Sequence, residues 1–273
     1  MPAGPLTLLV DNGSLEPAAT LALRKLAARL CGRLGQKVEP VSLLHSSSID
    51  PKLLAGSPAK LLLPVMERRL AANRGEFTII PLFFGPSNAV TEYLPENVTR
   101  LREKHPKLKI SVAAPLFASG DERLAQILED QVVAQLGPVP SRVALVDHGS
   151  PVAAVTAVRN ELAAQLAVRL GSRVIAVAPC SMERRPEPAY DFNEPLLAGL
   201  LDTAPWTEGR VIVALQFLSP GRHAGKDGDV AKICRDAEAK HPKLKTQPTA
   251  LVGVHPLLIE ILADRWRSAS PLA

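Results

Sequence analysis

Two phrases recur in this chain at one fixed interval. Asp11-Asn12-Gly13-Ser14 returns 136 residues later as Asp147-His148-Gly149-Ser150, and Lys-His-Pro-Lys-Leu-Lys at 104–109 returns, again 136 residues on, at 240–245. Either match alone is a weak signal. Two at the same spacing point to a duplication, so whatever the first half folds into, the second half must be able to fold into as well. The 273 residues divide into halves long enough to bury a core each.

Each Asp-x-Gly-Ser phrase follows a short apolar run, LTLLV or RVALV, and precedes a long segment of helical apolar periodicity. That order reads as strand, tight turn, helix. The first half continues with VEPVSLL (38–44), a helical stretch over 57–72 and FTIIPLFF (77–84). The second continues with RVIAVAPC (173–180), a proline-rich stretch to Asn193, a short helix over 194–201 and RVIVALQFL (210–218). Both halves then pass through a polar turn into a helix that ends on the repeated lysine phrase, and final helices fit 121–136 and 255–267. Short apolar strands alternating with helices predict parallel sheets of four strands with helices on both faces. The Gly-Pro-Val-Pro-Ser stretch at 137–141 marks the seam, which sets domains at 1–137 and 141–273. Ser14 and Ser150, close to proline at the helix entrance, read as helix caps.

Composition narrows the functions. With 47% hydrophobic and 22% charged residues the chain should fold in water, and it has no run of eighteen apolar residues to span a membrane. The opening MPAGPLTLLV lacks the basic segment and long apolar run of a secretory leader, so a cytoplasmic protein is expected. Cys31, Cys180 and Cys234 are too scattered for a disulfide framework or an iron–sulfur motif. The net charge of +5 is spread along the chain and aromatic residues make up only 4%. Nucleic acid is therefore not an expected partner, whereas a small anionic ligand is.

Strand-end loops are where open α/β sheets bind ligands. In the second half two of them carry histidine: His148, and His223 within SPGRHAGKDGD. The matching places in the first half hold Asn12 and Asn88. Side chains fit for metal or proton work thus occupy one half only. Asp147, His148 and Ser150 lie too close in sequence for a charge-relay triad, and Ser150 lacks the glycine pattern of a nucleophile elbow. A complete dinucleotide fingerprint and a phosphate-loop lysine pattern are both absent.

His148-Gly149-Ser150 after the first strand of the half, and Gly221-Arg222-His223-Ala224 with Asp227 four places on, resemble the motifs of the small class II chelatases of tetrapyrrole synthesis. Ala114-Pro115-Leu116 and His255-Pro256 are similar to further family features. The resemblance implies two tandem flavodoxin-like domains of the chelatase fold, the first lacking the histidine pair and the second carrying His148 and His223. It implies insertion of divalent cobalt or iron, with nickel as a third choice, into sirohydrochlorin or a close relative. The metal would be a substrate, with no tightly bound cofactor. A glutamate after the second strand is expected to join the histidines, and Glu183 is the first choice with Glu187 in reserve. Neutral imidazole binds such ions and, with a reference pKa of ~6.5, accepts a proton near neutrality. The ring's carboxylates are expected to meet Gly149, Ser150, Arg184, Arg185, Arg222 and Lys226, with Asn12 and Asn88 contributing from the first half. Duplication within one chain makes a pseudo-dimer, so a monomer would suffice. A tetrapyrrole or metal carrier on the same scaffold is the competing expectation.

Overall fold

The computed structural model describes residues 4–272. In chain order the elements are β1 (Leu6–Asp11), α1 (Pro17–Leu34), β2 (Val38–Ser42), α2 (Leu62–Ala71), β3 (Glu76–Pro81), α3 (Leu94–Lys104), β4 (Lys109–Val112), α4 (Arg123–Val133), β5 (Ser141–Asp147), α5 (Ala153–Leu170), β6 (Ala176–Ser181), α6 (Leu197–Leu201), β7 (Gly209–Leu215), α7 (Asp229–Lys240), β8 (Leu244–Pro248), α8 (Leu257–Arg267) and β9 (Ser270–Pro271). Two sheets form, ordered β2-β1-β3-β4-β9 and β6-β5-β7-β8. All pairings are parallel except that of β9, a two-residue edge lying antiparallel to β4. The chain is thus a tandem of two α/β folds with one strand order. Among the described residues no helix is long and apolar enough to cross a membrane.

The central strands explain the layering. Leu8, Leu9 and Val10 of β1, and Val143 to Val146 of β5, are all at most 1% exposed. A strand covered on both faces needs such an unbroken apolar run. In the first fold Leu8, Val10, Ile79, Met66 and Val98 share a core cluster. In the second, Ala144, Val146, Cys180, Leu197 and Val213 do the same.

The compact units do not follow the linear halves. The described residues up to Ser119 join those from Ile259 onward in one unit, and Gly120–Leu258 forms the other. Helix α4, at the end of the first sequence half, packs on α5 and β7 of the second unit. Most of α8 belongs to the first unit: Trp266 donates its indole N–H to Thr7 Oγ1 at 3.2 Å, Arg265 donates to the carbonyls of Pro115 and Leu116, and Glu260 pairs with Arg33 at 2.8 Å. An apolar stripe makes a helix seek a sheet without specifying which sheet, so the last helix of each sequence half can pack in the other unit.

Two local readings are corrected. The helix expected over 57–72 begins only at Leu62, because Ser42 N–H bonds the Lys60 carbonyl at 2.9 Å and Leu61 bridges to Ser42, which extends the backbone beside β2. Ser14 and Ser150 are not helix caps: their Oγ atoms accept from the N–H of Glu16 (3.0 Å) and Val152 (3.1 Å), closing turns before the helices start.

Candidate functional site

Strand order puts three loops side by side in the second unit. His148 follows β5, Glu183 follows β6 and His223 follows β7, and β6-β5-β7 are neighbours in the sheet. Parallel strands end at one edge, so the three side chains converge without a long-range device. The imidazoles of His148 and His223 meet edge to face with ring centroids 4.6 Å apart, and Glu183 Oε1 lies 3.3 Å from His148 Nε2. Side-chain exposure is 49% for His148, 59% for Glu183 and 32% for His223, so the cluster opens to solvent.

Neighbouring oxygens decide which ring nitrogens work. His148 Nδ1 donates to the Gly149 carbonyl at 3.0 Å, and His223 Nδ1 donates to Asp229 Oδ2 at 2.7 Å. Carbonyl and carboxylate oxygens only accept, so Nδ1 carries hydrogen in both rings. In the neutral form His223 then keeps its lone pair on Nε2, whereas His148 Nε2 faces Glu183 Oε1, an oxygen that also only accepts. A carboxylate behind a histidine in this way fixes the tautomer and strengthens the other nitrogen as a ligand. Among the described residues no group of three or more His, Cys, Asp or Glu side chains is placed so that it could hold a metal ion.

Asp229 is the residue that the sequence reading missed. Asp227, which the motif favoured, is an exposed side chain 3.9 Å from Arg235. The loop folds back instead, with Asp229 N–H bonding the Arg222 carbonyl and Val230 N–H bonding the His223 carbonyl, both at 3.1 Å. That brings the first residue of α7 under His223. An acidic residue opening a helix after a glycine-rich loop was the available signal.

The turn below His148 is held from inside. Gly149 has φ +90°, and a Cβ there would stand 1.9 Å from the Glu183 carbonyl oxygen. Only glycine allows that approach, and it seats Glu183 beside His148. Asp147 Oδ1 accepts from Gly149 N–H (3.1 Å) and Ser181 Oγ (2.6 Å), with Arg159 Nη1 at 3.9 Å. Burial raises the Asp147 carboxyl above the usual range, against the opposing pull of Ser181 and Arg159. Ser150 N–H is taken by Asn193 Oδ1 at 2.9 Å. The expected carboxylate-binding amides of Gly149 and Ser150 therefore point inward and are already used.

The remaining candidates divide. Arg184 braces its own loop through Glu194 (2.7 Å), Asp191 (3.0 Å) and the carbonyls of Arg185 and Pro186. Arg185 stacks on Tyr190, its guanidinium carbon 5.3 Å from the ring centroid. Arg222 is 79% exposed with Nε 3.7 Å from Asp229 Oδ2, and Lys226 and Glu187 are exposed. Asn12 and Asn88 lie in the first unit, in the loops after β1 and β3. There Gly13 repeats the glycine geometry: its Cβ would stand 1.8 Å from the Leu44 carbonyl oxygen, so Leu44 holds the place of Glu183.

A doubly repeated parallel α/β fold with two histidines in contact at the strand ends of its second unit defines a tandem chelatase-type protein. The chain belongs to the CbiX family, whose model matches residues 6–135 and again 142–269. Among solved structures it is similar to SirB from Bacillus subtilis with Fe3+ (16% identity, TM-score 0.69, 97% of this chain and 95% of that one). It is also similar to the sirohydrochlorin chelatase SirB from Bacillus subtilis subspecies spizizenii in complex with cobalt (16%, 0.68, 97% and 94%). A third is CbiX, described as the terminal enzyme of siroheme biosynthesis in denitrifying bacteria (19%, 0.61, 97% and 99%). At these identities the likeness is one of fold. No curated protein sequence matches the chain.

Proposed function

We propose that the protein inserts a divalent metal, cobalt or iron, into sirohydrochlorin or a closely related tetrapyrrole. The supporting observation is the His148–His223 contact, with both Nδ1 atoms engaged by oxygens and the exposed Glu183 carboxylate 3.3 Å from His148 Nε2. Insertion requires stripping water from the ion and taking two protons from the inner pyrrole nitrogens. Nε2 of a neutral imidazole performs either task, as ligand or as base. Glu183, exposed and close to His148, completes the ligand set or holds the imidazolium that results. Two imidazoles and a solvent-facing carboxylate hold an ion less firmly than a four-ligand cage, which suits an ion that must leave for the macrocycle. Arg185, Arg222 and Lys226 are the exposed cations offered to the ring's carboxylates.

The test is an anaerobic assay of sirohydrochlorin with Co2+ or Fe2+, followed by the ring's absorption, for the native protein and for His148→Ala with His223→Ala. Metallation well above the protein-free rate, lost in the double variant, is expected. Tight ring binding with no acceleration would overturn the proposal in favour of a carrier.

A further inference from the structure

The largest side chain in the deep interior is a charged one. Arg159, on α5, is 1% exposed, and its guanidinium is bonded on several sides. Nη1 donates to Ser181 Oγ (2.5 Å) and the Asn193 carbonyl (2.8 Å), and lies 3.9 Å from Asp147 Oδ1. Nε and Nη2 donate to Asn160 Oδ1. Asn193, with no exposed surface, accepts from Ser150 N–H and Thr156 Oγ1 and donates to the carbonyls of Ser150 and Tyr190. The loop over 183–193 therefore leaves the His148 turn at Glu183 and returns to it at Asn193, and Arg159 joins the two ends from below.

The first unit is an internal control. Helices α1 and α5 are both 18 residues long and start 136 residues apart, which sets Thr20 against Thr156 and Leu23 against Arg159. The turn, its glycine and its aspartate are kept, yet the arginine is a leucine, 2% exposed. A half-open pocket of about 260 Å³ bordered by Thr20, Leu23, Arg24 and Ser42 lies in this region of the first unit, and Arg24 donates to the carbonyls of Leu54, Ser57 and Pro58 without reaching the Asn12 turn. Both copies form the same strand, turn and helix, so the fold by itself does not call for the guanidinium. Burying one is costly, and apolar replacements of such networks are often neutral or stabilising. At the position matching Arg159, the copy with Asn12 has Leu23, and the guanidinium that reaches the turn is present only beside His148.

We infer that Arg159 is a positioning residue of the histidine site, locking the His148-Gly149-Ser150 turn and the returning loop at Asn193 into one rigid piece that holds His148 Nε2 in its working place. The inference deepens the metal-insertion reading and rests on it for the second of two measurements below.

The first measurement needs no metal. In Arg159→Leu, amide hydrogen exchange at Gly149 and Ser150 should accelerate at least about tenfold more than at the β5 amides. The second is Co2+ titration without tetrapyrrole. Arg159→Leu should weaken binding by about tenfold or more, the usual effect of losing a group that orients a ligand. On a His148→Ala background the same substitution should change affinity little, because its effect passes through that ring. A uniform rise in exchange, or an equal loss of affinity in both backgrounds, would show a merely structural arginine and overturn the inference. Asn193→Ala reads the same link if Arg159→Leu does not fold. Failure of the native protein to bind Co2+ while the exchange result holds would sink the metal reading and leave the positioning role standing.

Discussion

Asp229 takes a 2.7 Å hydrogen bond from Nδ1 of His223 although the motif pointed to Asp227. The bond ties the position of one site histidine to the first residue of α7. Asp229→Asn keeps the shape and removes the charge behind the ring. Co2+ affinity should fall by about tenfold, measured by titration of the native and substituted proteins. Asp227→Asn should leave it unchanged. The opposite ranking would restore the motif's choice.

Glu183→Gln separates function from fold. The side chain is 59% exposed, so the unfolding free energy should stay within about 0.5 kcal/mol of the native value in urea titrations. Metal insertion should nonetheless slow markedly. Full retention of the rate would remove Glu183 from the site.

Gly149→Ala should cost stability as well as the seating of Glu183 beside His148. Positive φ and a backbone oxygen 1.9 Å from the new Cβ leave no relaxed conformation, and a loss of roughly 3 kcal/mol is expected from thermal unfolding. Gly13→Ala should cost a similar amount, since its geometry is the same, although its turn carries no histidine.

Asp11 gives a pH signature to the first unit. Burial pushes its carboxyl from 3.8 up to about 6, against the hydrogen bonds from Ser42 and Gly13. Its Oδ1 is buried with no hydrogen-bond partner among the described residues. The folded state thus keeps a proton that the unfolded chain gives up earlier. This group's contribution is fully present below pH 3.8 and lost as pH rises through about 6. Asp11→Asn should remove that loss and raise stability at pH 7 by on the order of 2 kcal/mol, with a flatter profile between pH 4 and 6. Identical stability–pH curves for the two proteins would contradict the assignment.

Local pattern made much of this legible. The apolar runs before Asp11 and Asp147, the glycine that each turn requires and the periodicity of α1 and α5 are all decided within a few residues of themselves. His148 and His223 were legible as a pair because parallel strand ends must share an edge. What escaped depends on contacts distant in sequence. Helices α4 and α8 carry ordinary apolar stripes, and nothing in a stripe says which sheet it will cover. Nothing local to Arg159 marks it as buried, and its burial follows only from Ser181 and Asn193 arriving from another part of the chain. Asp229 was hidden by a loop that doubles back.

Exchange of the last helices makes each fold depend on the other's stretch of chain. A fragment ending near residue 137 would keep α4, which belongs to the other fold, and lack α8, whose residues hold Thr7, Arg33 and the Pro115–Leu116 carbonyls. Asn12 and Leu44 stand in the first copy where the second has His148 and Glu183, yet the stretch of chain that carries them also supplies a helix that the other fold packs against its own elements.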